Sequence, residues 1–193
     1  NINDINNLIS SDKKYALLIN SMPAYAYPQD MDKVDQFCKK KEILLINDAS
    51  GSIGSGGARS GDLIFSSFGK NKPVDLGYGS FIATDNKEFY DFITGHNRQK
   101  VMIDYSKLSV KLAHLSKRID LLHKLNTKIK DYLKSHDVIH NDKQGFNVIV
   151  KYKNDLALSE IVAYCNSNKY EFVLCPKYIK VLDNAVSIEV VRL

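Results

Sequence analysis

Two spacings of apolar residues alternate along the chain. Tyr15–Asn20 (YALLIN) and Ile43–Asp48 (ILLIND) are short unbroken apolar runs, the pattern of strands buried on both faces. Between them, Asp30–Glu42 (DMDKVDQFCKKKE) sets Met31, Val34, Phe37 and Cys38 at helical spacing. Acids open that stretch and lysines close it, which suits the helix macrodipole. Strand, helix, strand at this spacing predicts a βαβ unit and a parallel sheet. Further strands are predicted at Asp62–Phe68 and Gly79–Thr84, with a short helix over Asn86–His96.

From Tyr105 to about Ser135 a single stripe of Leu108, Leu112, Leu115, Ile119, Leu122, Leu125, Ile129 and Leu133 predicts one long helix. The stripe lacks ordered charges at its edges, so a connecting helix is expected rather than a coiled coil. Phe146–Leu193 then reads strand (FNVIVKY), helix (LALSEIVAYCNSN), strand (YEFVLC), a turn at Cys175-Pro176, and strand (AVSIEVVRL). The expected organisation is an α/β fold in two parts. Residues 1–135 hold a mostly parallel sheet and the long helix, residues 136–193 a small C-terminal α/β domain, and the boundary falls near His140–Gly145.

Composition narrows the function classes. With 44% hydrophobic and 25% charged residues the chain is that of an ordinary globular protein, and no apolar run approaches the ~20 residues that span a bilayer. The start is polar, without the core of a signal peptide, and is not Met, so a fragment or trimmed chain is expected. Cys38, Cys165 and Cys175 form no CxxC pair, which points to buried thiols in a reducing cytoplasm rather than disulfides or zinc. The net charge of +5 is spread along the chain without a nucleic-acid motif. Neither nucleic acid nor membrane is therefore an expected partner. Five histidines show no metal spacing, and no metal site is expected.

In open parallel sheets, ligands sit beyond the carboxyl ends of the strands. Two polar clusters fall there: DASGSIGSGGARSGD after Ile43–Asn47, and SFGKNK after Asp62–Ser66. The glycines do not form a phosphate-binding P-loop, since no Gly-Lys-Ser/Thr closes them, and they miss the GxGxxG register. Tight turns explain them better. A pyridoxal phosphate enzyme needs an amine for a Schiff base, a carboxylate for the pyridine nitrogen and donors for the phosphate. Asp48, Ser67 and Lys72 supply those three chemical types on two strand ends.

The stretch LLINDASGSIGSGGARSGDLIFSSFGKNKPVDLGYGSFIAT resembles the centre of the DegT/DnrJ/StrS family of nucleotide-sugar aminotransferases. Asp48-Ala49, Gly61-Asp62, Ser67-Phe68, Lys72 and Gly77/Gly79 match that family in order and spacing. The upstream SMPAYAYPQDMDKVDQFCKKKEILLIND is similar to its strand, turn, Asp-Met-Asp helix and strand. The resemblance implies the large domain, in part, of a type I pyridoxal 5'-phosphate transferase, with a preceding segment that carries a phosphate loop. It implies that Lys72 forms the Schiff base and shuttles a proton, that Asp48 pairs with the pyridine nitrogen, and that Ser67 bonds the phosphate. It also implies a homodimer, an amino acid as amino donor and a keto-sugar or related carbonyl as acceptor. Lys70 matches no catalytic position and reads as a solvated turn residue. Two positions depart from the family. Gly51 stands where Gln or His is usual near the cofactor hydroxyl, and Asp104 where an Asn reaches the partner's phosphate. These leave an alternative: a non-catalytic relative or fragment that serves as a binding or assembly partner.

Overall fold

The computed structural model describes residues 4–5, 7–10, 13–96, 102–176 and 181–193. Two four-stranded sheets organise the chain. The first holds β1 (Ala16–Asn20), β2 (Leu44–Asp48), β3 (Leu63–Ser67) and β4 (Ser80–Ala83) in that spatial order. β1, β2 and β3 run parallel, and β4 is antiparallel to β3. The sheet is thus mostly parallel.

Helix α1 (Met31–Lys40) makes the crossover between β1 and β2. Asp30 caps it by accepting from the Lys33 amide at 3.2 Å, an ordinary N-cap that satisfies one of the free donors of the first turn. Met31, Val34 and Cys38 pack on Ile43 and Leu45, with Leu17 and Ile19 beside them. Period-2 alternation sends the next residues the other way. Leu18 and, on β4, Ile82 are 65% and 55% exposed. The sheet is therefore apolar on both faces but covered within this chain on one, which corrects the expectation of strands buried on both.

α2 (Lys87–His96) follows β4, and the predicted long helix is two: α3 (Tyr105–Ala113) and α4 (Leu115–Tyr132). The break falls at His114, whose backbone leaves the helical region (φ −98°, ψ 1°) although its amide still donates to the Val110 carbonyl at 3.2 Å. Leu115 then turns onto Phe68 and Val74, while Leu122 and Ile129 enter the core beneath the second sheet.

The second sheet has β5 (Asp137–Ile139), β6 (Val148–Lys151), β7 (Phe172–Cys175) and β8 (Ala185–Ile188), in the order β5-β6-β8-β7, all antiparallel. α5 (Asp155–Asn168) connects β6 to β7 across the intervening β8. β5 has only three residues and was not predicted. The strand expected to the C-terminus stops at Ile188, and Val190–Arg192 form a 3-10 turn. The HNDKQG stretch is tied down by Lys130 of α4, whose buried ammonium donates to the carbonyls of His140 at 2.9 Å and Lys143 at 2.6 Å. One apolar core joins Met22, beyond β1, to Leu122, Phe146, Val148, Ile161 and Ile188.

Candidate functional site

The parallel register gathers the carboxyl ends of β1, β2 and β3. Asn20 pairs with Asp48, and Asp48 with Phe65, so Ser67 lies two residues further along the same face. That face is the one opposite α1. Asp48 accepts from Asn20 Nδ2 at 3.0 Å on one oxygen and from the Ser50 amide at 3.0 Å on the other. Ser50, itself buried, accepts from the Ser67 amide at 3.0 Å. One serine thus couples the two strand ends that carry Asp48 and Ser67. The Ser67 hydroxyl accepts from the Gly69 amide at 3.0 Å and retains its own proton for donation.

Lys72 stands on the loop after β3, next to Pro73 and Val74, which are buried. Asp75 fixes this loop with both carboxylate oxygens, accepting from the Asn71 and Gly77 amides at 2.9 Å each. Asn71 takes a left-handed backbone (φ 64°), so the chain reverses immediately before Lys72. Lys70 is exposed, as a solvated turn residue would be, whereas Lys72 is half-buried and donates its amine to the Tyr25 hydroxyl.

Tyr25 and its neighbour Ala24 have φ of 56° and 51°. A left-handed backbone costs non-glycine residues free energy and persists where the surroundings enforce it. Here the Tyr25 carbonyl accepts from the Phe146 and Asn147 amides at 2.8 and 2.9 Å, and Asn147 Nδ2 donates to the Ala24 carbonyl at 3.2 Å. The Tyr25 ring lies on Gly51. A Cβ at position 51 would sit 3.1 Å from Tyr25 Cδ1 and 3.1 Å from Met22 Cβ. The space beside Asp48 that a larger residue 51 would need is therefore filled by Met22 and Tyr25.

Asp104 caps α3. Its Oδ1 accepts from the Ser106 hydroxyl at 2.6 Å and the Lys107 amide at 3.0 Å. The Ser106 hydrogen bond first, then the Lys107 amide, hold its carboxyl at about 2. Its charge is spent on a helix terminus, where an acid is favourable.

The structure thus brings Asp48 and Ser67 together through Ser50, and links Lys72 to the Gly51 turn through Tyr25. Sequence reasoning missed Asn20, Tyr25, Ser50 and Asp75. Asn20 was legible as the residue ending the first parallel strand. Asp75 was legible as an acid inside a turn-rich loop. Nothing local pointed to Tyr25, whose ring, hydroxyl and carbonyl partners are 26 to 122 residues away. The glycine-rich loop is a structural turn: Asn47 Nδ2 donates to the Gly57 and Ser60 carbonyls at 2.9 and 2.8 Å.

The profile of the DegT/DnrJ/EryC1/StrS aminotransferase family matches residues 2–130, and the chain belongs to that family. The profile of the MJ1341 family C-terminal domain matches residues 114–193. No curated protein matches the chain. Among solved structures, it is similar to a DegT DnrJ EryC1 StrS aminotransferase from Brucella abortus (14% identity, TM-score 0.72, 98% of this chain and 64% of that one). It is likewise similar to E. coli GDP-4-keto-6-deoxy-D-mannose-3-dehydratase with bound hydrated PLP (14%, 0.70, 97% and 66%). A 3-amino-5-hydroxybenzoic acid synthase matches at 14%, 0.66, 100% and 66%. The chain spans slightly less than two thirds of the length of these relatives, and its fold is that of the type I pyridoxal phosphate transferases.

Proposed function

We propose that this chain is the core of a pyridoxal 5'-phosphate-dependent aminotransferase that moves an amino group from an amino acid to a keto-sugar or related carbonyl. The observation that carries this reading is the placing of an amine, a carboxylate and a hydroxyl around the carboxyl ends of three parallel strands. The donor set suits the cofactor. Asp48 bears only neutral donors, Asn20 and the Ser50 amide, so its charge is left for a cationic ring nitrogen. Lys72 faces a phenol rather than a carboxylate, which leaves the amine unpaired by charge. Bound pyridoxal phosphate supplies an electron sink for breaking bonds at the amino carbon.

Each residue then has a role in its own right. Lys72 would hold the cofactor through its amine nitrogen and carry the proton moved at the amino carbon. Asp48 holds a proton on a ring nitrogen within the ligand, its two oxygens oriented by Asn20 and Ser50. Ser67 donates its hydroxyl proton to a phosphate oxygen. The family membership and the PLP-bound relative support the cofactor. Exposed Leu18 and Ile82, which share the sheet face opposite α1, support a homodimer by giving a second subunit apolar surface to cover. Three free thiols, all buried, fit a reducing cytoplasmic location.

The test is to reduce the intact protein with borohydride after adding pyridoxal phosphate, and to locate the modified lysine by peptide mass spectrometry. Modification at Lys72, lost in Lys72→Ala and strongly weakened in Asp48→Asn, is expected. No modification at Lys72 would overturn the reading and favour a non-catalytic relative. The filled space at Gly51 is the one observation that points that way.

A further inference from the structure

We propose that Tyr25 is a positioning residue for Lys72, held in place by the C-terminal sheet through Asn147 and Phe146. The proposal rests on the reading of Lys72 as the reactive amine, but the contact it describes exists without any ligand.

Three observations converge on Tyr25. Its hydroxyl accepts the hydrogen bond of the Lys72 amine. The ring lies against Gly51, where a Cβ would sit 3.1 Å from Cδ1, closer than ordinary van der Waals contact. The backbone of Ala24 and Tyr25 is left-handed, and the second half of the chain enforces that conformation. The Tyr25 carbonyl accepts two amide hydrogen bonds from residues 146 and 147, and Asn147 Nδ2 donates to the Ala24 carbonyl. A Cβ on Gly145 would overlap the Ala26 carbonyl, so the two segments are pressed together at that point.

Asn147 is 2% exposed and is fixed in turn. Its Nδ2 also donates to Glu189 Oε2 at 3.2 Å, and its Oδ1 accepts from the Val191 amide at 3.1 Å. Asn126 of α4 donates to the carbonyls of Phe146 and Asn147 at 3.2 and 3.0 Å. A buried, multiply bonded polar network has few alternative arrangements. The 23–26 turn can therefore present Tyr25 to Lys72 in one pose, and the sheet formed by β5–β8 contributes to the site without placing a side chain in it.

Lys70 and Lys72 share one loop and differ in this contact, which provides an internal reference. Competitive acetylation of the ligand-free protein with trace acetic anhydride, read by peptide mass spectrometry, gives the ratio of Lys72 to Lys70 labelling. In wild type the ratio is expected to be lower in the native state than in urea. Tyr25→Phe keeps the ring on Gly51 and removes the hydroxyl. It should raise the native ratio about fivefold, the equilibrium factor of one ordinary hydrogen bond. Asn147→Ala should raise it in the same direction by less. Because Lys70 is already exposed, loosening of the loop is read separately, from amide exchange of the 69–77 peptide: exchange is expected to stay unchanged in Tyr25→Phe, and faster exchange there would assign the rise to loosening and overturn the contact. Equal ratios in native and urea-unfolded wild type, or an unchanged ratio in a folded Tyr25→Phe, overturn the Tyr25 contact. An unchanged ratio in Asn147→Ala overturns the coupling to the C-terminal sheet. A wild type that shows the protected ratio but takes no pyridoxal phosphate at Lys72 refutes the proposed function alone.

Discussion

Asn147→Ala probes the joint between the two sheets, and its cost can be worked from the contacts. The substitution removes the donor to the Ala24 carbonyl, the donor to Glu189 Oε2 and the acceptor of the Val191 amide. These three losses are unequal. The Ala24 carbonyl is on a half-exposed residue and can take water instead. Glu189 keeps the Ser187 hydroxyl at 2.7 Å and Arg192 Nε at 3.4 Å. The Val191 amide, on a residue 1% exposed, has no replacement in reach of solvent. An orphaned buried donor costs about 1–3 kcal/mol, and each re-satisfied contact about 0.5–1 kcal/mol. The expected loss is therefore about 3 kcal/mol. With a urea slope of about 2 kcal/mol/M for a chain of this size, the unfolding midpoint should fall by about 1.5 M, with the slope unchanged. The assay is equilibrium urea unfolding followed by circular dichroism and tyrosine fluorescence. A midpoint within about 0.3 M of wild type would show that the Asn147 network stabilises nothing, and the joint would have to be sought in the apolar core alone.

Other perturbations follow from the same contacts. Asp75→Ala should release the Asn71 and Gly77 amides and reduce borohydride-trapped pyridoxal phosphate at Lys72, with a change of under about 1 kcal/mol in urea, because the freed amides lie near solvent. Gly54→Ala places a methyl group 2.8 Å from Ile119 Cδ1 and Leu115 Cδ2 at φ +86°, and thermal unfolding should report a loss of about 1–3 kcal/mol. Burial raises the thiols of Cys38 and Cys175, and that of Cys165 to about 11. A thiol reagent at pH 8 should therefore find no fast-reacting cysteine in the native protein and all three after denaturation. Asp104, lowered from its ordinary 3.8 to about 2, stabilises the folded state above pH ~4 and loses that contribution as pH falls toward 2. Asp104→Asn, also a good cap, should leave neutral-pH unfolding nearly unchanged and flatten the acid limb.

The βαβ unit, the parallel direction of the first three strands and the helices α1, α2 and α5 were legible because each rests on local periodicity and local caps, such as Asp30 before α1 and Asn154 before α5. The family was legible from the order and spacing of Asp48, Ser67 and Lys72, which short local loops fix at adjacent strand ends. The break at His114 was not, because the apolar stripe continues through it and only the backbone changes there, to ψ 1°. Nor was β5, since three residues carry too little pattern to separate from a loop. Asp104 shows the reverse difficulty. In sequence it reads as a departure from the family's Asn, and only the structure shows it capping α3 through Ser106 and Lys107.

The chain alone thus determined which residue types stand at the ends of the strands and in what order, because strand ends and turns are written in short-range pattern. Which of them touch was decided only by tertiary structure. Tyr25 meets Lys72 across 47 positions and is held by Asn147 across 122, through hydrogen bonds that offset the cost of burying polar groups and leave no local trace in the sequence.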